Sequence, residues 1–163
     1  MFNLFQRPLR ILFICSENVC RSAMAEGMLR HSLAQVGLSR RVKVSSAGTA
    51  VSQPGRKPDI RAQRLLMEDG ISLRGIRAHQ VTVRDLERSD YVLAMEERHL
   101  QALRELCPQG HAHKLELVLN HDPESAQREV PDPYYGNREG FPRVYELLLP
   151  AVDSLREQIA QRL

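Results

Sequence analysis

Leu9-Arg10-Ile11-Leu12-Phe13-Ile14-Cys15, followed by Ser16-Glu17-Asn18-Val19-Cys20-Arg21-Ser22, is the stretch that decides how this chain is read. Its first half is a short, nearly continuous apolar run, the pattern of a strand buried on both faces in a parallel sheet. After a short loop, Ala25, Met28, Leu29, Leu33 and Val36 recur at helical spacing until Gly37, with Ser22 placed to cap the first turn. The unit is strand, loop, helix, with Cys15 at the strand's end.

Working outward, the same alternation repeats. A second strand is predicted over 41–46, then a polar loop with Pro54, Gly55 and Pro58, then a helix over about 59–68 that stops at Gly70. Residues 90–95 read as a third buried strand, Leu100, Leu103 and Leu106 mark the helix after it, and 114–119 read as a fourth strand. The connection 120–140 is rich in Pro, Asp, Asn and Gly and longer than most, which favours a functional loop. Finally, Phe141, Val144, Leu148, Val152, Leu155 and Ile159 share one helical face, with Pro150 expected to kink that helix or split it. The fold expected is α/β: a parallel sheet of about four strands with helices on both faces, Rossmann-like, binding ligands at the carboxyl ends of its strands.

With 163 residues, 42% of them apolar, the chain is expected to form one domain over 1–163. No stretch has the length of a signal-peptide core or a membrane span, so a soluble, cytoplasmic protein with no membrane partner is expected. Three cysteines do not resemble a secreted disulfide framework and point to reduced thiols. The formal charge of +3 suits an anionic ligand, but acids and bases are interspersed, which gives little support to nucleic-acid binding. His111 and His113 lack nearby Cys or acidic partners at metal-ligand spacing and read as a solvated loop, so no metal and no cofactor is expected.

The chemistry lies in Cys15 to Ser22. A loop running from a strand into a helix N-terminus can surround an anion with main-chain N–H groups and positive potential. A cysteine held there, beside an arginine, has reason to ionise below its usual pKa of about 8.5, and the thiolate is the nucleophile. Arg21 can offer its planar fork to two phosphate oxygens and stabilise a transition state. Ser22 can donate to the cysteine sulfur, or serve only as the helix cap. The plain alternative for Cys15 is a buried strand-end cysteine. Cys107, with no cysteine neighbour, reads as structural.

These residues, C-x5-R-S followed much later by Val130-Pro131-Asp132-Pro133-Tyr134-Tyr135-Gly136, resemble the low-molecular-weight protein tyrosine phosphatase family. The resemblance extends through Ser46-Ala47-Gly48-Thr49, Pro58-Asp59 and the strand ending in Met95, and so covers most of the chain. It implies a metal-free phosphatase acting on a phosphotyrosine-containing protein, with a bacterial tyrosine kinase as one candidate partner. It assigns Asp132 as the acid that protonates the leaving phenolate and then the base that activates water. Tyr134 and Tyr135 would line the cleft. The loop residues Ser16, Glu17, Asn18, Val19, Cys20 and Ser22 would hold the phosphate, and Asn18 and Ser46 would brace that loop, although Ser46 can also be read as a strand-end turn cap. Cys20 is either a redox partner that shields Cys15 through a reversible disulfide or a small packed residue.

The sequence departs from the family pattern in several places. Glu17 stands where glycine is usual, and unless it points to solvent it should weaken phosphate binding and raise the Cys15 pKa. Ile76-Arg77-Ala78-His79-Gln80 lacks the usual bracing histidine, Glu96 replaces an aspartate near the end of the third strand, and Ser52 and Ser16 make the cleft wall more polar. Three alternatives stay open. An arsenate reductase needs closely spaced extra cysteines, which Cys107 alone does not provide. An arginine phosphatase tends to have Thr in place of Val19 and Phe in place of Tyr134. A catalytically weak phosphoprotein-binding module is motivated by Glu17.

Overall fold

The computed structural model describes residues 7–133 and 140–163. Four parallel strands, β1 (Leu9–Cys15), β2 (Val42–Gly48), β3 (Tyr91–Ala94) and β4 (Leu115–Leu117), form one sheet in the order β2-β1-β3-β4. Side chains of a strand alternate between faces. Thus Ile11, Phe13 and Cys15 join the core beneath α1 (Arg21–Gln35), α2 (Ile60–Met67) and α5 (Gly140–Arg162). Leu12 and Ile14 join the other core, with Leu86 of α3 (Val83–Arg88) and Leu100 and Leu103 of α4 (Glu97–Leu106). Both faces of β1 are covered, which is why its sequence does not alternate.

The strand order fixes the site. β2 lies on one side of β1 and β3 on the other, so the chain leaves the sheet in opposite directions beyond the carboxyl end of β1. A crevice opens at such a switch point. The 16–20 loop borders it, and the Met95-Glu96 segment follows the end of β3.

Several local expectations are corrected. α1 begins at Arg21 with Cys20 in the cap position and no side-chain cap, so Ser22 lies inside the helix and its hydroxyl serves another purpose. The second strand runs to Gly48, and the fourth is trimmed to Leu115–Leu117 because Val118–His121 tightens into a 3-10 turn. α3 was not anticipated; Thr82 and Asp85 close a reciprocal capping box over its first turn. α5 is unbroken through Pro150 and does not split, and its buried face carries Phe141, Val144, Leu148, Val152, Leu155 and Ile159 as expected. Asp59 caps α2 by accepting from the Arg61 N–H. Among the described residues no helix is long and apolar enough to cross a membrane.

Candidate active site

At the end of β1 the chain turns through Ser16–Cys20 and re-enters the core as α1. Asn18 makes the turn possible by adopting φ 58°, a left-handed conformation that asparagine tolerates better than most residues. Its buried side chain is fully engaged. Nδ2 donates to Ser22 Oγ and to Ser46 Oγ, both at 2.8 Å, and Oδ1 accepts from the His79 N–H at 2.9 Å. One amide therefore ties the loop to α1, to β2 and to the 78–80 turn. The main-chain N–H of His79 thus supports the loop from the 78–80 turn.

Hydrogen-bond direction can be followed through this network. Ser22 Oγ accepts from Asn18, so its own proton is available to Cys15 Sγ, 2.9 Å away. Ser46 Oγ likewise accepts from Asn18 and donates to the carboxylate of Glu26, which also pairs with Arg30. Burial pushes the Glu26 pKa up, against the opposing effects of Ser46 and Arg30.

Arg21 is only 2% exposed, an unusual position for a guanidinium, and its partners explain why it is tolerated. Nη1 donates to the Glu96 carboxylate and, at 2.8 Å, to the carbonyl of Val130, while Nη2 lies 3.8 Å from Asp132 Oδ2. Arg98 also binds Glu96. Burial works to raise the Glu96 pKa, but hydrogen bonds from Arg98 and Arg21 outweigh it and hold the carboxyl below its ordinary value. The Val130 N–H donates to the Met95 carbonyl at 2.9 Å, anchoring the start of the late loop beside the end of β3.

Cys15, Arg21 and Asp132 line one open cavity of about 260 Å³, together with Ser16, Val19 and Cys20. Glu17 lines its exposed rim, where Oε2 accepts from the N–H and hydroxyl of Ser52, both at 2.9 Å. Its carboxylate thus joins the 16–20 loop to the loop after β2. Burial, with Asp59 and Cys15 adding to it, pushes the Cys20 pKa up to about 12, so Cys20 is a protonated thiol. Cys107 packs at the edge of the second core, remote from this cavity's lining. Tyr134 and Tyr135 lie outside the described residues. No cluster of three or more metal-ligating side chains occurs among the described residues.

A family model described as low molecular weight phosphotyrosine protein phosphatase matches residues 10–163. The chain belongs to that family. It is 38% identical over 160 residues to a low molecular weight protein-tyrosine-phosphatase of Streptomyces coelicolor, covering 94% of this chain and 97% of that one. The crystal structure of YfkJ from Bacillus subtilis superposes with a TM-score of 0.91 at 33% identity, covering 97% of this chain and 98% of that one. YwlE, an arginine phosphatase, superposes with a TM-score of 0.83 at 27% identity, covering 94% and 97%.

Within this phosphatase framework the structure adds a residue that the sequence did not single out. His99, 1% exposed, receives the Glu96 N–H on Nδ1 at 3.1 Å. The ring proton must then sit on Nε2, which donates to Ser16 Oγ at 2.9 Å. Ser16 is thereby held with its own proton free to donate. Burial first, then the charge of Arg21, lowers the His99 pKa from 6.5 to about 4, so the ring is neutral. The unfolded state binds the extra proton first, so stability is full above pH 6.5 and falls as pH drops toward 4. His99 is expected to contribute a loss of about 2 kcal/mol between pH 6.5 and about pH 5, above the range where the depressed carboxylates titrate and opposed there by Glu26, whose raised pKa gives the opposite slope. Urea unfolding across that interval checks it: His99→Gln should abolish the His99 contribution, and a slope equal to that of wild type in the variant would remove His99 as its source.

Proposed function

We propose that this protein hydrolyses phosphotyrosine on proteins through a phosphocysteine on Cys15. The observation that carries the reading is the convergence of Cys15, Arg21 and Asp132 on one cavity, with a serine hydroxyl bonded to the sulfur. The Cys15 thiolate attacks phosphorus, the bond to the aryl oxygen breaks, and Asp132 gives its proton to that oxygen. Asp132, now a carboxylate, takes a proton from water as the water attacks the phosphocysteine. Inorganic phosphate leaves, and the returning thiolate is stabilised by the Ser22 hydroxyl. Because Nη1 of Arg21 is committed to Glu96 and Val130, its Nε–Nη2 edge is the fork for the phosphoryl oxygens. The main-chain donors of the 16–21 loop complete the oxyanion cradle.

No metal has a role in this scheme. Tyr134 and Tyr135 serve as walls for the aromatic leaving group, Cys20 as the thiol that closes a protective disulfide when peroxide oxidises Cys15, and 1–163 as one catalytic domain acting in the cytoplasm. A bacterial tyrosine kinase is the partner suggested by family. Val19 in the loop speaks against a phosphoarginine substrate.

The test is to quench wild-type enzyme in acid during turnover of a phosphotyrosine peptide, with EDTA present, and to map phosphate by mass spectrometry. Phosphate on the Cys15 peptide that disappears in a chase is the expected result. Steady phosphate release with no such adduct would overturn the covalent scheme. Peptide retained intact without release would identify a binding module instead.

A further inference from the structure

A second concavity adjoins the cleft. The strip 52–58 borders both: Ser52, Gln53 and Arg56 line the catalytic cavity, while Lys57 and Pro58 line a neighbouring groove of about 340 Å³. The strip is pinned by the Gly55 N–H to the Ala78 carbonyl and by the Ala78 N–H to the Arg56 carbonyl, both at 2.8 Å. Consecutive residues of one pinned strip, Arg56 and Lys57, thus line the cavity and the groove respectively.

The groove is cationic. Lys57, Arg74 and Arg77 line it and no acid does; all three are exposed, and none forms an ion pair with a described residue. Among the described residues Arg77 donates to the carbonyl of Ile76. The nearest acid in sequence, Asp59, is closed off by the N–H and guanidinium of Arg61. Glu68 and Asp69 follow Met67 but lie outside the lining, and Asp69 is taken by the Tyr145 hydroxyl. Like charges gathered without counter-charges repel one another, and their field falls on whatever approaches the adjoining cleft.

We propose that this groove is a docking surface for an anionic flank of the phosphoprotein substrate, in which Asp, Glu or a further phosphorylated residue lies beside the phosphotyrosine. The proposal rests on the phosphatase reading of the cleft. A chain whose phosphotyrosine is seated over Cys15 must cross the rim, and an acidic flank laid along the 52–58 strip passes Arg56 and reaches Lys57, which lines the groove with Arg74 and Arg77. Met67, 57% exposed, offers that flank an apolar contact on the groove wall.

The experiment compares two phosphotyrosine peptides of equal length, one with acidic flanks and one with neutral flanks, and p-nitrophenyl phosphate as a flankless control. Wild type is compared with the triple variant Lys57→Glu/Arg74→Glu/Arg77→Glu and with the corresponding triple alanine variant. At low salt, wild type should favour the acidic peptide by about tenfold in kcat/KM, carried mainly by KM and lost at high salt. The alanine variant should lose that preference and the glutamate variant should reverse it, while both retain wild-type turnover of p-nitrophenyl phosphate. A preference that survives in both variants, or that is absent from an active wild type, overturns the docking surface. Failure of wild type on the flankless control would instead sink the phosphatase reading. In that case fluorescence anisotropy of the intact acidic peptide, wild type against the triple variants, decides the groove separately. Equal competition by phosphatidylglycerol vesicles or single-stranded DNA would make the groove a general anion surface and reject a peptide site.

Discussion

Cys15→Ser is expected to reduce p-nitrophenyl phosphate turnover by roughly 10⁴-fold or more, because a serine oxygen is a far weaker nucleophile toward phosphorus, and a poorer leaving group from it, than a cysteine sulfur. The variant should keep its stability, since the new oxygen can still hydrogen-bond with Ser22. Asp132→Ala is expected to lower kcat by about 10²–10⁴-fold, the usual contribution of a placed general acid. The size of that loss should depend on the leaving group. p-Nitrophenolate departs with little help from a proton, whereas the tyrosine phenolate needs one, so the deficit should be larger on phosphotyrosine or phenyl phosphate. Steady-state kinetics on three esters of graded leaving-group acidity check this. A uniform loss across all three would move Asp132 from proton transfer to binding.

Gly48→Ala should also impair catalysis although it touches no substrate. A Cβ built there would fall 2.2 Å from the Ser16 carbonyl oxygen and 2.6 Å from Val51 Cγ2. Val51 can move aside, but the Ser16 main chain is the floor of the phosphate loop. Gly48 cannot retreat either: its N–H binds the His79 carbonyl at 2.8 Å, its carbonyl accepts from Val81 at 2.9 Å, and it pairs with Cys15 across the sheet. The loop must shift, and a displacement of about 1 Å in a positioning element can cost about 10²-fold in rate. We expect kcat/KM to fall by that order and stability by about 2 kcal/mol, as for an overpacked core. Gly55→Ala is the control. Gly55 has φ +85° and nothing within 4 Å of the added Cβ, so it should cost about 1 kcal/mol of backbone strain and leave catalysis unchanged. Wild-type kcat/KM in Gly48→Ala would show that the loop is not seated on β2.

The parts of this molecule legible in its sequence were those fixed by local pattern. The unbroken apolar run of β1 reads as a doubly covered strand because both its faces are buried, and the loop into α1 reads as an anion site because a helix N-terminus follows it. α3 was missed because six residues are too few to show a period, although its Thr82/Asp85 capping pattern was available. Val118 and Leu119 read as strand from their side chains, but the chain turns there to meet α5. His99 carries no local signal, since its role depends on Ser16, 83 residues away. Glu26 was not singled out in the sequence, yet it is buried, pairs with Arg30 and accepts from Ser46 of β2. Arg21 was read as a grip for substrate; its hold on Glu96 and Val130, which orients the grip, became visible only when the chain had closed on itself.

The Asn18 amide has a consequence for timing. Its three bonds join segments separated by up to 61 residues, so the loop cannot open without parting from the helix, the strand and the 78–80 turn together. By connectivity it belongs to the same cooperative unit as the sheet, and it should exchange its amide protons as slowly as β1 does. An arriving phosphate then finds no conformational search ahead of it, and the speed of capture is set by diffusion and by the field at the rim.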